Sequence, residues 1–166
     1  AGVPRERMNV AVYDLGGGTF DATLLRLAPG DIRTLATDGD VQLGGFDWDM
    51  RLLNHAADWF KTNYRADPRD DPASWQRLYD GVVEAKHSLS ARTRATIRIE
   101  HAGHSAEFLI TREQFQELTA DLLERTAYTS RQLITAAQMK WSDLNRILLV
   151  GGSTRMPVVP QMLQQM

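Results

Sequence analysis

Asp14-Leu15-Gly16-Gly17-Gly18-Thr19-Phe20-Asp21 and Gly151-Gly152-Ser153-Thr154-Arg155 each set bare backbone beside hydroxyl and charged side chains. Glycine lacks a Cβ, so a turn built from it can bring backbone N–H groups against an anion. Thr19 adds a hydroxyl donor to the first turn. Asp14 and Asp21 flank that turn with carboxylates, which would repel a phosphate unless a divalent cation or its water stood between them. Such a set suits phosphoryl transfer to water, where positioning and charge neutralisation supply most of the catalysis. In the second turn, the backbone and the helix expected after it favour an anion or a ribose oxygen. Arg155 can lie flat against an adenine ring. Either turn alone is equally well a plain hairpin or a surface helix start. Together, about 135 residues apart, they predict one polyphosphate held from two sides.

Neither turn is a standard nucleotide motif. The GxxxxGK[ST] of a P-loop is missing, and Asp21 stands where GxGxxG would need its third glycine. The elements around the turns say how they are held. Asn9–Tyr13 is a short apolar run of buried-strand type, and Thr19–Leu27 is rich in β-branched and apolar residues, so strand–turn–strand is expected. Pro29-Gly30-Asp31 marks a turn, and Ile32–Thr37 alternates like a half-buried third strand. After Gly44-Gly45, Asp47 is placed to cap a helix carrying Leu52, Leu53, Ala56, Trp59, Phe60 and Tyr64. Asp71 and Pro72 suit the Ncap and first position of a second helix, which ends near Ser90. Ala95–Glu100 and Ala106–Ile110 read as a hairpin around Ala102-Gly103-His104. Thr111 and Gln114 form a capping-box pattern opening one long helix with Phe115, Leu118, Leu122, Thr126, Leu133 and Ala137 on its stripe. Arg146–Val150 reads as a buried fourth strand of the first sheet, and Pro157 opens a last helix. Two subdomains are expected: residues 1–45 with 111–166, carrying the sheet, and an inserted helical and hairpin subdomain at 46–110.

Bulk properties narrow the class. The 166 residues are 43% hydrophobic and 24% charged, ordinary for a globular chain, with net charge −2 and no cysteine. No general basic surface exists for nucleic acid or anionic lipid, and neither a disulfide framework nor a zinc–thiolate site can form. No 18-residue apolar run suggests a membrane-spanning helix. The chain opens Ala1-Gly2-Val3 and closes Gln164-Gln165-Met166, which reads as a cut from a longer protein. His101 and His104 have metal-like spacing but read as surface histidines, and Trp48, Trp59, Trp75 and Trp141 as packing residues.

DLGGGTFD at 14–21, LGGFDWD at 43–49, EAKHSLS at 84–90 and LLVGGSTRMP at 148–157 succeed one another in an order that resembles the heat-shock protein 70 (DnaK-type) chaperones. The resemblance covers essentially the whole chain and points to the second lobe of that family's nucleotide-binding (ATPase) domain. It implies an α/β, actin-like (ribonuclease-H-like) fold: a mixed sheet with helices plus an inserted α+β subdomain. It implies ATP/ADP and Mg²⁺ as cofactors. Gly16, Gly17, Gly18 and Thr19 match phosphate contacts, with Asp14 and Thr19 as catalytic positions. Asp14 and Asp21 match carboxylates that meet the metal through water. Gly151, Gly152, Ser153 and Arg155 match phosphate, ribose and adenine contacts; Glu84, Lys86, His87 and Ser90 match the grip on ribose and base.

Three departures from the family pattern stand out: Val83 where a glutamate is usual, with Glu84 displaced by one; His87 for an arginine or aliphatic residue; and Phe46 for a glutamate. They predict altered adenosine contacts. The function implied is an ATP-hydrolysing, cytoplasmic chaperone that binds unfolded polypeptide clients and works with a J-domain co-chaperone and a nucleotide exchange factor, without nucleic acid or membrane. The alternative is a divergent non-catalytic interaction lobe that docks a nucleotide exchange factor through residues 46–110. A sugar or acetate kinase of the same superfold ranks last, since its strings around the glycines differ. The family's first lobe supplies a further phosphate turn and a catalytic lysine, neither of which is in this sequence. Losing three charged contacts of about 1.5 kcal/mol each weakens binding roughly a thousandfold. The isolated stretch is therefore expected to be inactive.

Overall fold

A computed structural model of the chain describes residues 6–166. In chain order the elements are β1 (Met8–Leu15), β2 (Phe20–Ala28), β3 (Asp31–Asp40), α1 (Gly45–Tyr64), α2 (Pro72–Ala91), β4 (Arg94–His101), β5 (His104–Thr111), α3 (Arg112–Leu118), α4 (Ala120–Ala136), β6 (Arg146–Val150) and α5 (Val158–Gln164). They form two compact units, Ala1–Gly45 with Leu122–Met166, and Phe46–Asp121.

The first unit is built on a mixed sheet of order β3-β2-β1-β6. β1, β2 and β3 form the expected antiparallel meander, and β6 runs parallel to β1. Alternate residues of a strand share a face. One face of β1 and β2 accordingly buries Ala11, Tyr13, Leu15, Phe20, Ala22 and Leu24. Ser130, Leu133 and Ile134 of α4 line the same small internal gap as Ala11, Tyr13, Ala22 and Leu24, so the helix closes that face. The burial pushes the Tyr13 phenol up to about 12.

Two strands differ from the reading of their sequences. β3 is longer than expected and mostly exposed, with Ile32 at 71% exposure. β6 carries Leu148, Leu149 and Val150 exposed, where a buried strand was expected. The reason is common to both: each is an edge strand, covered on one side only by its neighbour.

The second unit packs α1 and α2 with the β4–β5 hairpin. Trp48, Leu52, Leu53, Ala56 and Phe60 of α1, Leu78, Val82 and Leu89 of α2, and Ile97, Ile99, Phe108 and Ile110 of the hairpin make its core. Asp71 caps α2 as expected, its carboxylate accepting from Ser74 N at 2.7 Å. Ala102 (φ 50) and Gly103 (φ 77) form the two-residue hairpin turn, with both central residues left-handed as that turn type requires. His104 belongs to β5 rather than to the turn.

Three helix expectations change. α1 begins at Gly45, which puts Asp47 inside the first turn instead of at the cap. The Thr111–Gln114 capping box forms, but the long helix breaks at Thr119 into α3 and α4. Thr119 leaves helical geometry (φ −117, ψ 13) and its hydroxyl donates to Phe115 O at 2.8 Å, competing with the backbone ladder. Residues 152–155 form a single 3-10 turn before α5, whose N-cap is Pro157.

Candidate functional site

The first glycine turn connects β1 to β2, and Gly16 N donates to Thr19 O at 3.0 Å to close it. Gly17, Gly18 and Thr19 are exposed. A Cβ added at Gly17 or Gly18 would meet no atom of the chain within 4 Å. The tip is therefore open to a ligand, and its own fold does not demand glycine at 17.

The second turn leaves β6, whose Val150 lies opposite Asp14 of β1. Both turns thus leave the carboxyl ends of adjacent parallel strands, where ligands bind in open α/β sheets. Their approach is close. Ser153 Oγ donates to Gly16 O at 3.0 Å, and that carbonyl also accepts from Gly45 N at 2.9 Å. Gly151 has φ 88, and a Cβ there would stand 2.3 Å from Leu15 O and 2.9 Å from Asp14 Oδ1. Only glycine allows this contact. Gly44 is held as tightly, since its Cβ would stand 2.4 Å from Gly18 N.

The hydroxyls of the second turn are spent within the protein: Ser153 on Gly16 O, and Thr154 on Gly151 O at 2.7 Å. Arg155 is exposed beside them. Gly151 leads into a short 3-10 turn, so an anion here would meet individual N–H groups more than the dipole of a full α-helix.

Asp14 and Asp21 are directly opposed across the β1–β2 ladder. Such partners share a face, and two carboxylates there repel each other unless a cation intervenes. Among the described residues no cluster of three or more acidic or histidine side chains could hold a metal. Two carboxylates fit a Mg²⁺ that keeps most of its water and phosphate ligands, and do not fit an all-protein cage.

In the second unit, Lys86 and Asp49 are both buried, with Lys86 Nζ 2.7 Å from Asp49 Oδ1. Desolvation raises the Asp49 carboxyl above its ordinary value, while Lys86, and less strongly His87, pull it back. Ser90 is half-buried one turn on from Lys86, and His87 is exposed between them. Glu84 does not share this side. Two residues before Lys86, it lies about 200° round the helix and lines a separate cleft with Arg77, Gly81 and Ser88. His101 instead bonds Ser74 Oγ at 3.1 Å through Nδ1.

Three features escaped the sequence reading. Asp49, within the quoted LGGFDWD string, is the ionic partner of Lys86. Gly44 is the close neighbour of Gly18. Ser153 joins one turn to the other. The doubled glycine at 44–45 was the only local signal for any of them.

The protein-family model described as "Hsp70 protein" matches residues 2–166. The chaperone protein DnaK of Metamycoplasma hominis is 38% identical over 166 residues, which cover 96% of this chain and 28% of that protein. The chaperone protein DnaK of Thermosipho africanus (strain TCF52B) is 38% identical over 162 residues, 94% of this chain and 27% of that protein. The chain therefore spans little more than a quarter of the length of these curated relatives.

Proposed function

The chain belongs to the Hsp70 family, and from that premise we propose that it is part of an ATP-binding, ATP-hydrolysing molecular chaperone. Its mixed α/β architecture is the family's actin-like ATPase fold. One observation carries the nucleotide reading: two glycine turns at the carboxyl ends of adjacent parallel strands, tied by Ser153 and Gly16, around an exposed Gly17-Gly18-Thr19 tip.

In this reading the N–H groups of Gly16, Gly17 and Gly18 and the Thr19 hydroxyl bind the phosphates. Asp14 orients the attacking water, and Asp14 with Asp21 holds the hydrated Mg²⁺. When bound, Mg²⁺ neutralises charge on the phosphates. Gly151, Gly152 and Arg155 meet phosphate, ribose and adenine, and Ser153 keeps the second turn against the first. In the second unit, Lys86, His87 and Ser90 are proposed from the family resemblance as contacts to ribose and base. In the protein at its full natural length, hydrolysis would drive binding and release of unfolded polypeptide, with a J-domain co-chaperone and a nucleotide exchange factor as partners. A cytoplasmic location is part of the same proposal; no helix of the described residues is long and apolar enough to cross a membrane.

A second reading, a non-catalytic interaction lobe, is favoured by the engagement of Lys86 with Asp49 inside its own unit. Gly17→Val in the full-length protein separates the two. A Cβ at 17 meets no atom within 4 Å, and the valine would stand where a phosphate approaches. ATP affinity by calorimetry is expected to fall about ten- to a hundredfold, or about 1.4 to 2.7 kcal/mol, with an unchanged unfolding temperature. Unchanged affinity would select the interaction lobe.

A further inference from the structure

A cleft of about 910 Å³ lies between α2 and β4 in the second unit. It is lined by Arg77 of α2, Arg92 at the helix end, and Arg94 and Arg98 of β4; Glu84 is the sole carboxylate in its lining. Arg98 also pairs with Glu100 at 2.7 Å, while Arg77 donates to Ser74 Oγ at 3.1 Å and lies near Asp71. The guanidinium groups of Arg92 and Arg94 make no hydrogen bond or ion pair with the described residues. All four arginines are exposed, in a chain whose net charge is −2.

Four like charges gathered in one cleft repel one another, and the fold does not require them. Arg112, by contrast, serves the fold: it donates to Leu89 O at 2.7 Å and Arg92 O at 2.8 Å and pins the junction of α2 with β4. The cleft is therefore held in shape before any partner arrives. Guanidinium forks match carboxylates bidentately. Between the arginines the lining is small or hydroxyl-bearing, with Gly81, Ser88, Thr93 and Thr96, and its one exposed large aliphatic residue is Leu109. Among the described residues the hairpin sheet has two strands, so the outer edge of β4 has no strand partner there.

We propose that this cleft is a docking groove for an extended acidic peptide segment of a partner protein, one that alternates carboxylate and aliphatic side chains. The carboxylates pair with Arg92 and Arg94 first and with Arg77 and Arg98 at the ends, while an aliphatic group covers the exposed Leu109. No aromatic ring is among the described residues that line the cleft, so it lacks the side chains on which single-stranded bases chiefly stack. The groove is independent of the glycine turns and of the nucleotide reading.

The test uses the full-length protein and a fluorescein-labelled peptide of alternating glutamate and valine, followed by fluorescence anisotropy at low and high salt. The matched peptide with lysine for glutamate and a single-stranded oligonucleotide serve as competing probes. The acidic peptide is expected to bind and the lysine peptide not. Arg94→Glu and Arg92→Glu should each weaken binding about tenfold or more, Arg94→Gln by less, and added salt should weaken it further. ATP affinity and unfolding temperature should stay unchanged in all three variants, because the residues are exposed. No acidic-peptide binding at low salt, equal binding of the lysine peptide, or insensitivity to both charge reversals would overturn the proposal. So would tighter binding of the oligonucleotide that the same reversals abolish, since the groove would then serve nucleic acid.

Discussion

Gly151→Ala is expected to destabilise the first unit by about 3 kcal/mol or more, enough to consume much of a typical domain's stability. Two costs combine. An L-residue held at φ 88 costs about 1–3 kcal/mol. The new methyl would also stand 2.3 Å from Leu15 O and 2.6 Å from its carbonyl carbon, both backbone atoms that cannot swing away. Relief requires β6 to move off β1, which parts the two glycine turns. Thermal or denaturant unfolding measures the loss. Gly152→Ala is the control: its Cβ would meet nothing within 4 Å, and a change within about 0.5 kcal/mol is expected, as for other open positions. Equal stability of Gly151→Ala and the parent protein would mean that the two turns are not in contact.

Lys86→Met is expected to cost about 3–5 kcal/mol at neutral pH, because it leaves the buried Asp49 charge without its partner. The pH dependence carries a distinct sign. Burial already holds the Asp49 carboxyl above its ordinary value of 3.8, and Lys86 opposes that shift. Removing Lys86 raises the folded-state value further. A carboxyl whose folded pKa exceeds its unfolded one binds its proton more tightly in the folded protein, so the unfolding free energy falls as pH rises between the two values. The variant should therefore be least stable at neutral pH and recover part of its loss as pH falls toward 3.8. Lys86→Met combined with Asp49→Leu should regain most of the stability and lose this pH dependence, since replacing both members of a buried pair is often nearly neutral. A loss independent of pH in Lys86→Met would argue that Asp49 is not the charge left behind.

The two predictions bear on the proposed function differently. Gly151 acts on the shape of the two glycine turns, through backbone contacts that no side chain can replace. Lys86 acts through a buried charge pair. Breaking that pair to reach a ligand would leave Asp49 without its cation, and any nucleotide contact by Lys86 must offset that cost.

Local chemistry explains why so much was legible in advance. The hairpin at Gly16–Thr19, the Asp71 cap, the Thr111–Gln114 box and the Ala102-Gly103 turn depend on residues within a few positions of one another. Their propensities act before any tertiary contact forms. The family strings around the glycines are likewise properties of the linear chain. Misreadings arose where burial depended on distant neighbours: RILLV at 146–150 is apolar enough for a central strand, yet it lies at a sheet edge. Thr119 interrupts a helix that periodicity alone would continue.

By itself the amino-acid order determined the antiparallel meander, the glycine-ended strands, the capped helices and membership of one family, because turn geometry and strand or helix period are set by near neighbours. Only the tertiary structure decided that Ser153 ties its turn to Gly16, that Gly151 lies against Leu15, that Lys86 is paired with Asp49, and that Glu84 faces a cleft of arginines. Those four facts depend on strand order and helix rotation, which arise from the burial of whole faces and leave no signature in any single stretch of chain.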